Sequence, residues 1–250
     1  MAEQYDLVIE FLSDNWPHIT MVLALMLVVY LFVFKRIHCY LPYITRKTIH
    51  GSLNSEMTFQ MSRLFHPLKV EQLKLDRPLE ILDLSGASSR IDYFPTDSHV
   101  TSMDSNPFIR AYMEAKGVEC KQAIFKEFIE SSIDDLEDLE SESFDSVVSF
   151  QTLCSVGEPE IVLQEILRIL RPGGTFYFFE HTKSKLLTFL RLRQYFCCIL
   201  WYLLFGRCRL LRDTSQQVEQ AGFSTYSYEK LNHSTFYTVQ SPTIFGVATK

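Results

Sequence analysis

The feature that most constrains the fold of this chain is an apolar strand that runs directly into a turn of very small residues. The strand covers residues 79–84 and the turn reads Ser-Gly-Ala-Ser-Ser at 85–89. A second segment, 171–181, carries a Gly-Gly turn into an aromatic strand that ends in two ionisable residues. Small residues after a first strand let a cofactor approach the backbone and the next helix N-terminus. The two segments therefore predict a fold that binds a nucleotide-type cofactor.

Predicted strands and helices alternate along most of the chain. Strands are predicted at 79–84, 100–103, 120–125, 144–150 and 175–180, and helices at 43–74 (with a break at Pro67), 107–116 (ended by Gly117) and 159–170. Strands that alternate with helices form parallel βαβ units, so the order predicts an α/β, doubly wound sheet. Beyond a helix at 213–220, two further strands at 223–231 and 243–249 can form an antiparallel pair.

Net charge and cysteine spacing exclude several classes of function. The chain of 250 residues has a formal net charge of −6, which argues against a strongly basic surface, so no nucleic-acid partner is expected. Its six cysteines include no Cys-x-x-Cys pair and form no Cys/His ligand pattern. They are interpreted as reduced, mostly buried thiols in a cytosol-facing domain, and no metal site is expected.

An uncharged apolar segment near the N-terminus predicts membrane attachment. Residues 19–34 carry no charge, acidic residues precede them, and Lys35 and Arg36 close the segment. About 16 to 20 such residues are near the minimum for a helix that crosses a bilayer, and the positive-inside rule places the rest of the chain in the cytosol. Insertion into one leaflet and a buried core helix are the alternatives. The predicted organisation is an anchor at 1–40, a helical linker and N-terminal helices at 41–78, and the main domain at 79–250.

A second apolar segment lies between the fifth predicted strand and the last predicted helix. Residues 183–212 combine a run of aromatic and aliphatic side chains with Lys and Arg at both ends. The apolar core at 195–205 is too short to span a bilayer, whereas an apolar surface with basic flanks can rest on an anionic membrane. The segment is interpreted as a lid over the substrate cleft or a membrane-contacting insertion, with an ordinary buried helix as the alternative.

Candidate cofactor-binding residues follow the predicted strands, because ligands of a doubly wound sheet bind beyond the carboxyl ends of its strands. They are Asp83, Ser85, Gly86 and Ala87 around the first turn, Asp104 and Ser105 after the second strand, and Gln151 after the fourth. An acidic residue at position 104 can accept hydrogen bonds from both hydroxyls of a ribose. It can also cap the helix that follows.

The ordered set of motifs resembles the class I S-adenosylmethionine-dependent methyltransferases over about residues 79–250. The set comprises Leu82-Asp83-Leu84 with its small-residue turn, Asp104, the strand at 144–148 and Leu170-Arg171-Pro172-Gly173-Gly174. The chain is most similar to the membrane-anchored methyltransferase-like seven proteins, which share Leu153-Cys154-Ser155-Val156, Glu180-His181 and a segment from Trp201 to Cys208. This resemblance implies a Rossmann-like sheet of seven mostly parallel strands with a reversed last strand and S-adenosyl-L-methionine as cofactor. It also implies a small thiol as acceptor and a membrane of the endoplasmic reticulum or of lipid droplets.

On this resemblance, residues after the fourth and fifth strands lie beside the methyl acceptor. Gln151 is placed to contact the acceptor or the methionine carboxylate, with loop packing as the alternative. Glu180 and His181 are the candidate catalytic residues, because an imidazole can take a proton from a thiol. A hydrogen-bonded supporting role is the alternative for His181. Cys154 is interpreted as a buried small hydrophobe rather than a nucleophile.

The first turn departs from the family pattern. The family has an acidic residue followed by x-Gly-x-Gly-x-Gly, whereas the three glycine positions here are Ser85, Ala87 and Ser89, and Gly86 stands at a non-glycine position. A residue with a Cβ in a left-handed conformation costs about 1–2 kcal/mol, and its side chain can block the cofactor. The chain is expected to be a membrane-associated methyltransferase that acts on a small apolar acceptor such as a thiol. A catalytically degenerate protein that serves as a binding or scaffold protein at the membrane is the alternative.

Overall fold

The computed structural model describes the chain at residues 16, 18, 20–29, 40–41, 44, 55–86, 90–120, 122–185, 188–204, 207–231 and 242–250. The helices are α1 (Ser55–Gln72), α2 (Pro107–Glu119), α3 (Pro159–Ile169), α4 (Phe189–Leu204) and α5 (Thr214–Gln220), with a 3₁₀ turn at Ile91–Tyr93. The strands are β1 (Glu80–Asp83), β2 (His99–Met103), β3 (Ile124–Ile129), β4 (Phe144–Phe150), β5 (Leu170–His181), β6 (Thr225–Leu231) and β7 (Thr243–Thr249).

Within the described residues the strands form one seven-stranded sheet in the order β3-β2-β1-β4-β5-β7-β6. Strands β1 to β5 pair in parallel, and β7 runs antiparallel to both β5 and β6. The predicted doubly wound, mostly parallel sheet and its antiparallel C-terminal pair are therefore confirmed. Because β1 lies beside β4 rather than only beside β2, the chain order reverses there. A crevice opens at the carboxyl ends of strands at such a switch point.

The central strand β4 is buried along its whole length, which explains its continuous apolar character. Successive side chains of a strand point to opposite faces, so Val147 and Val148 belong to different apolar clusters. Helix α3 covers the first cluster, to which it contributes Ile166, and α1 covers the second, to which it contributes Phe65. The sheet is thus packed on both faces, and its strand ends are left as the place for a ligand.

Strand β3 lies four residues later than the strand predicted at 120–125. Its pairing with β2 runs from His99 opposite Ile124 to Met103 opposite Ile129. Cys120 instead follows the end of α2, where its N–H donates to the carbonyl of Lys116. β3 lies at the edge of the sheet, so it pairs on one side only and its polar side chains can face water. The strand therefore extends four residues beyond its predicted end at residue 125.

Two helices continue through residues that were predicted to end or break them. Pro67 lies inside α1, where proline removes one hydrogen bond at a cost of about 3 kcal/mol. Four apolar side chains around it are buried, and each contributes about 1.5–3 kcal/mol, so packing outweighs the loss: Met61, Leu64, Phe65 and Leu68. Gly117 lies inside α2, and a Cβ there would come within 2.6 Å of Phe125. This glycine permits close packing on β3 and does not stop the helix.

The N-terminal anchor lies largely outside the described residues. Residues 20–29 are helical, and their large apolar side chains from Met21 to Val29 are 49–64% exposed. Among the helices that the structure describes, none combines the length and the apolarity needed to cross a bilayer. The assignment of residues 1–40 to an anchor stays a prediction.

At the amino ends of the strands, one carboxylate joins three parts of the chain. Asp145 of β4 accepts a two-pronged pair of hydrogen bonds from Arg77, both at 2.7 Å. It also accepts from the Glu80 N–H at 2.9 Å and pairs with Arg171 at 2.7 Å. Burial alone would raise the pKa of Asp145, but these donors hold the pKa below its ordinary value. This network stabilises the amino ends of the strands, which lie opposite to the crevice.

Candidate functional site

The predicted site residues meet at the carboxyl ends of β1, β2, β4 and β5. Asp83 ends β1 and Asp104 follows β2, while Gln151 follows β4 and His181 ends β5. Three of these strands are direct neighbours in the sheet, and β5 adjoins β4. Ala87, Ser88 and Ser89 lie outside the described residues. The structure therefore brings the two ends of the predicted site to one edge, where a doubly wound fold binds its ligand.

The side chain of Ser85 is directed into the sheet and belongs to its hydrogen-bonding pattern. Its backbone N–H donates to Asp83 Oδ1 at 2.9 Å, and its Oγ accepts from the Phe150 N–H at 3.1 Å. Ser85 is completely buried. The Ser85 hydroxyl thus accepts a hydrogen bond from the last residue of β4, beyond the point where β1 and β4 stop pairing. The first glycine replacement in the turn therefore packs against a neighbouring strand.

Gly86 is the residue at which the turn requires glycine. Its φ is +51°, in the left-handed region, and a Cβ there would lie 2.1 Å from Asp104 Oδ2. Any side chain at position 86 would therefore displace the carboxylate. The group that closely approaches the backbone of Gly86 is the Asp104 carboxylate, and this contact sets the position of the acidic group beyond β2.

Asp104 is half-buried, and the N-cap of α2 is provided by another residue. Asn106 is the N-cap, and its Oδ1 accepts from the Phe108 N–H at 3.1 Å. Asp104 Oδ1 accepts from the Asn106 N–H at 2.8 Å, which orients the carboxylate at the end of the strand. The helix-cap alternative therefore belongs to Asn106, and the ribose role of Asp104 stays a prediction. Ser105 is exposed beside it.

Gln151 combines an uncommon backbone conformation with an unsatisfied buried atom. Its φ is +58°, which is rare for a residue with a side chain and is typical of functional sites. Its N–H donates to the Phe179 carbonyl at 2.7 Å, which fixes the loop to β5. Its Oε1 is buried and has no hydrogen-bond partner within the described part of the chain. A buried amide oxygen of this kind can accept a hydrogen bond from a ligand.

Glu180 organises the loop after β4. Its Oε1 accepts from Ser149 Oγ at 2.6 Å and from the Thr152 N–H at 2.9 Å, and its Oε2 accepts from the Cys154 N–H at 3.3 Å. Thr152 Oγ1 in turn donates to the Leu84 carbonyl at 2.8 Å. Since three donors occupy the fully buried carboxylate, we interpret Glu180 as a positioning residue for this loop. Its predicted catalytic role is not tested by this geometry.

His181 faces two thiols. Its Nδ1 lies 3.4 Å from Cys154 Sγ and 3.3 Å from Cys208 Sγ, and the two sulfur atoms are 3.2 Å apart. All three residues are buried. Burial, together with the neighbouring Cys208 thiol, raises the pKa of Cys154 well above its ordinary value. The expectation of no Cys/His cluster is wrong, because the fold joins residues separated by 27 and 54 positions in the chain.

Two residues of this region were not singled out from the sequence. Arg90 follows the small-residue turn, and its guanidinium lies over the ring of Phe150, 4.9 Å from the centroid. Burial lowers the pKa of Arg90 from its ordinary value. The other is Cys208, which packs with Cys154 and Trp201. The sequence signals were a lone cation after the turn and a cysteine beyond an apolar helix, and neither signal is specific.

The described residues fit an adenosyl cofactor with an amino-acid tail. The Asp104 carboxylate packs against the backbone of Gly86 at the end of β2, and a carboxylate at this position can accept hydrogen bonds from the two hydroxyls of a ribose. The unpartnered Oε1 of Gln151 matches an ammonium donor. S-adenosyl-L-methionine carries both groups. The residues that would hold it are Asp104 at the ribose and Gln151 at the methionine end.

Comparison with known proteins gives the same assignment. A model of the methyltransferase domain matches residues 83–178. Human thiol S-methyltransferase TMT1A is 29% identical over 198 residues, which cover 79% of this chain and 81% of that protein. Human thiol S-methyltransferase TMT1B is 29% identical over 195 residues, with 73% and 80% covered.

A solved structure shares the fold. An S-adenosylmethionine-dependent methyltransferase from Methanosarcina mazei superposes with a TM-score of 0.53 at 16% identity, over 72% of this chain and 96% of that one. At this identity the likeness concerns the fold alone. Taken with the sequence relatives, the matched domain leads to one conclusion: the chain carries a methyltransferase domain and is similar to the S-adenosylmethionine-dependent methyltransferases.

Proposed function

We propose that this enzyme transfers a methyl group from S-adenosyl-L-methionine to a small thiol at a membrane surface. The observation that carries the choice of acceptor is a buried apolar cluster with two sulfur atoms at the carboxyl ends of β4 and β5. Cys154, Cys208, Leu210 and Trp201 pack together beyond the ends of β4 and β5. An apolar, polarisable surface of this kind suits a sulfur compound better than a strongly hydrated amine or carboxylate.

Methylation of a thiol requires little acid–base assistance from the protein. The cofactor supplies an electrophilic methyl group, so the chain has to position the acceptor and exclude water. A thiol with a pKa of about 8.5 is already ionised by a few per cent at neutral pH. A strong general base is therefore not required. This agrees with the geometry, in which three hydrogen-bond donors engage the buried carboxylate of Glu180 beside the loop.

The relatives support the same acceptor class. Both human proteins described above are thiol S-methyltransferases, and each is aligned over more than 70% of this chain. The aligned length reaches about four fifths of each relative, so the similarity is not confined to the cofactor half. These alignments therefore support sulfur as the acceptor atom of this chain.

The membrane part of the proposal depends on the outer face of α4. Six exposed large apolar side chains share one face of this helix and form a stripe, the α4 stripe: Phe189, Leu192, Tyr195, Phe196, Ile199 and Tyr202. Phe196 is 80% and Ile199 is 74% exposed. Arg191 and Arg193 lie on the same helix, and exposed Lys185, Arg207 and Arg209 flank it. An apolar stripe with basic flanks is typical of a helix that lies in a membrane interface.

The N-terminal apolar helix is proposed as the second membrane contact. Its described residues, 20–29, present apolar side chains outward, which is unfavourable in water over so continuous a surface. Attachment to the endoplasmic reticulum or to lipid droplets, with the catalytic domain in the cytosol, is part of the proposal and follows from the resemblance. A membrane-facing lid would let an apolar thiol enter from the lipid phase.

Acceptor choice is tested by methyl transfer from labelled S-adenosyl-L-methionine to three matched compounds: an alkyl thiol and the alcohol and amine with the same carbon chain. We expect a methylated product from the thiol only. Preferential methylation of the amine or alcohol would contradict the proposal. Cofactor binding without product from any acceptor would favour the alternative of a non-catalytic binding protein.

Membrane association is tested by flotation with vesicles of phosphatidylcholine, with and without phosphatidylserine. The double variant Phe196→Ser/Ile199→Ser should float less than the wild type, most clearly with phosphatidylserine present. Val118→Ser is the matched control, because Val118 is 88% exposed on α2, away from the α4 stripe. Equal losses in both variants would contradict an interface role for α4.

A further inference from the structure

Three buried side chains from three separate segments bring one nitrogen and two sulfur atoms together. Cys154 comes from the loop after β4, His181 from the end of β5, and Cys208 from the segment after α4. Their Sγ and Nδ1 atoms form a triangle with sides of 3.2, 3.3 and 3.4 Å. Each residue is at most 2% exposed. The atoms are therefore close enough to contact one common ligand.

The size of the triangle suits a small tetrahedral ion. Zn²⁺ binds thiolate sulfur at about 2.3 Å and imidazole nitrogen at about 2.0–2.1 Å. Tetrahedral bonds of those lengths hold the ligand atoms about 3.5–3.8 Å apart. The two nitrogen–sulfur separations are shorter than these by about 0.1–0.2 Å and the sulfur–sulfur separation by about 0.6 Å, so side-chain rotations would have to move the sulfur atoms apart. A disulfide would need the two sulfur atoms to come much closer, to about 2.05 Å.

The donor set selects the class of metal. Two sulfur atoms and one imidazole favour Zn²⁺ or another borderline to soft ion, whereas Mg²⁺ and Ca²⁺ require oxygen ligands. Two thiolates would balance the charge of a divalent ion, so the loaded site is neutral and tolerates burial. His181 presents Nδ1 to the sulfur atoms, as a metal ligand requires.

We propose that Cys154, His181 and Cys208 bind one Zn²⁺ ion, which clamps the segment after α4 onto the carboxyl edge of the sheet. Three protein ligands leave one tetrahedral position for a small exogenous ligand. The three ligands are not among the residues proposed to hold the cofactor, Asp104 and Gln151.

The surrounding contacts explain what such a clamp would hold. The Arg209 N–H donates to the Cys154 carbonyl at 2.8 Å, and Arg212 Nη1 donates to the Leu153 carbonyl at 2.5 Å. The chain after α4 is thus already aligned along the loop after β4. Trp201, in the last turn of α4, packs on the two thiols. An ion at this point would anchor the end of the helix whose outer face carries the α4 stripe.

The test is the metal content of the full chain, purified in detergent from cells grown with added zinc and measured by inductively coupled plasma mass spectrometry. We expect about one zinc per chain, and near-background zinc in Cys154→Ser and Cys208→Ser. Cys120→Ser is the matched control and should keep the zinc, because Cys120 lies elsewhere, against the Ile91 carbonyl. A zinc-free wild type, or serine variants that retain zinc, would overturn the proposal.

A second measurement needs no variant and so does not depend on how the variants fold. X-ray absorption at the zinc edge of the wild type should give two sulfur scatterers at about 2.3 Å and nitrogen or oxygen at about 2.0 Å. A first shell of nitrogen and oxygen alone would contradict the assignment. An intact mass lower by two hydrogens would instead identify a Cys154–Cys208 disulfide and would equally exclude the site. Neither readout uses methyl transfer, so this proposal and the proposed function fail independently.

Discussion

The two ends of β4 differ in how the side chains of Asp145 and Gln151 are satisfied. At the amino ends of the strands, the Asp145 carboxylate accepts hydrogen bonds from Arg77 and from the Glu80 N–H and pairs with Arg171, at distances of 2.7–2.9 Å. At the carboxyl edge, Gln151 has a left-handed backbone, and its Oε1 has no partner among the described residues. His181 Nε2 is likewise without a partner there.

This difference separates stability from function within one pair of strands. Buried polar groups in proteins are almost always hydrogen-bonded, so unsatisfied ones concentrate where a ligand or strain is part of the function. β4 carries Asp145 near its start and leads into Gln151 at its end. We therefore expect substitutions at the amino edge to change unfolding and those at the carboxyl edge to change binding.

The largest expected effect on stability is that of Asp145→Asn. The substitution removes the charge that pairs with two arginines and should lower the free energy of unfolding by about 2 kcal/mol. Arg77 and Arg171 are partly exposed and can turn to water, so the loss stays below that of a fully buried pair. Urea unfolding measures the change. A comparable loss of cofactor affinity at full folding would break the distinction between the edges.

The pH dependence of the same residue provides an independent check. The folded-state pKa of Asp145 lies below its ordinary value, so the stabilisation is fully present above the unfolded pKa of about 3.9 and is lost as pH falls through the folded pKa. Wild type and Asp145→Asn should therefore differ by a constant amount from about pH 7 to pH 5 and converge below about pH 4. A gap that widens on acidification would contradict the network.

Two glycine-to-alanine substitutions compare the two ends of the strands, because both introduce a similar backbone strain. Gly86→Ala and Gly173→Ala both place a Cβ on a left-handed residue, at φ values of +51° and +78°, which costs about 1–2 kcal/mol of unfolding free energy. Only the Cβ at position 86 meets Asp104, whereas the Cβ at position 173 has nothing within 4 Å. Gly86→Ala alone should also weaken cofactor binding. Equal cofactor dissociation constants for the two variants would remove the proposed link between Gly86 and Asp104.

The smallest expected effect concerns the loop after β4. Glu180→Gln keeps an oxygen for Ser149 and Thr152 but directs an amide NH₂ at the Cys154 N–H, at a cost of about 1 kcal/mol. Hydrogen exchange at the Cys154 amide should accelerate more than exchange elsewhere in the sheet. Glu114→Gln, in an exposed pair with Arg110 on α2, is the control and should leave this exchange rate unaltered.

Regular, locally encoded elements could be predicted from the sequence. β4 and α3 have the residues predicted for them, within one residue, because their apolar periodicity coincides with their burial. The antiparallel strands at the C-terminus could be predicted because no helix is predicted between 223–231 and 243–249. The position of β3 and the continuation of α1 through Pro67 could not be predicted. Cross-strand pairing and tertiary packing outweighed the local sequence preferences there.

The site was predictable where one turn or one strand end defines it. Asp104 beyond β2 follows from the order of the strands, and Gly86 from the small residues of the turn. The direction of the Ser85 side chain depends on Phe150, 65 residues away. The meeting of Cys154, His181 and Cys208 likewise depends on the path of the chain after α4. Contacts of that range are properties of the assembled sheet and leave no local pattern.

The most direct test of the account is a calorimetric titration of S-adenosylhomocysteine into the full chain in detergent, for the wild type, Asp104→Ala and Asp145→Asn. The account predicts binding by the wild type, an unchanged dissociation constant in Asp145→Asn, and binding weaker by about 5- to 150-fold in Asp104→Ala, equivalent to about 1–3 kcal/mol. Equal dissociation constants for Asp104→Ala and the wild type, or no binding by the wild type, would contradict it.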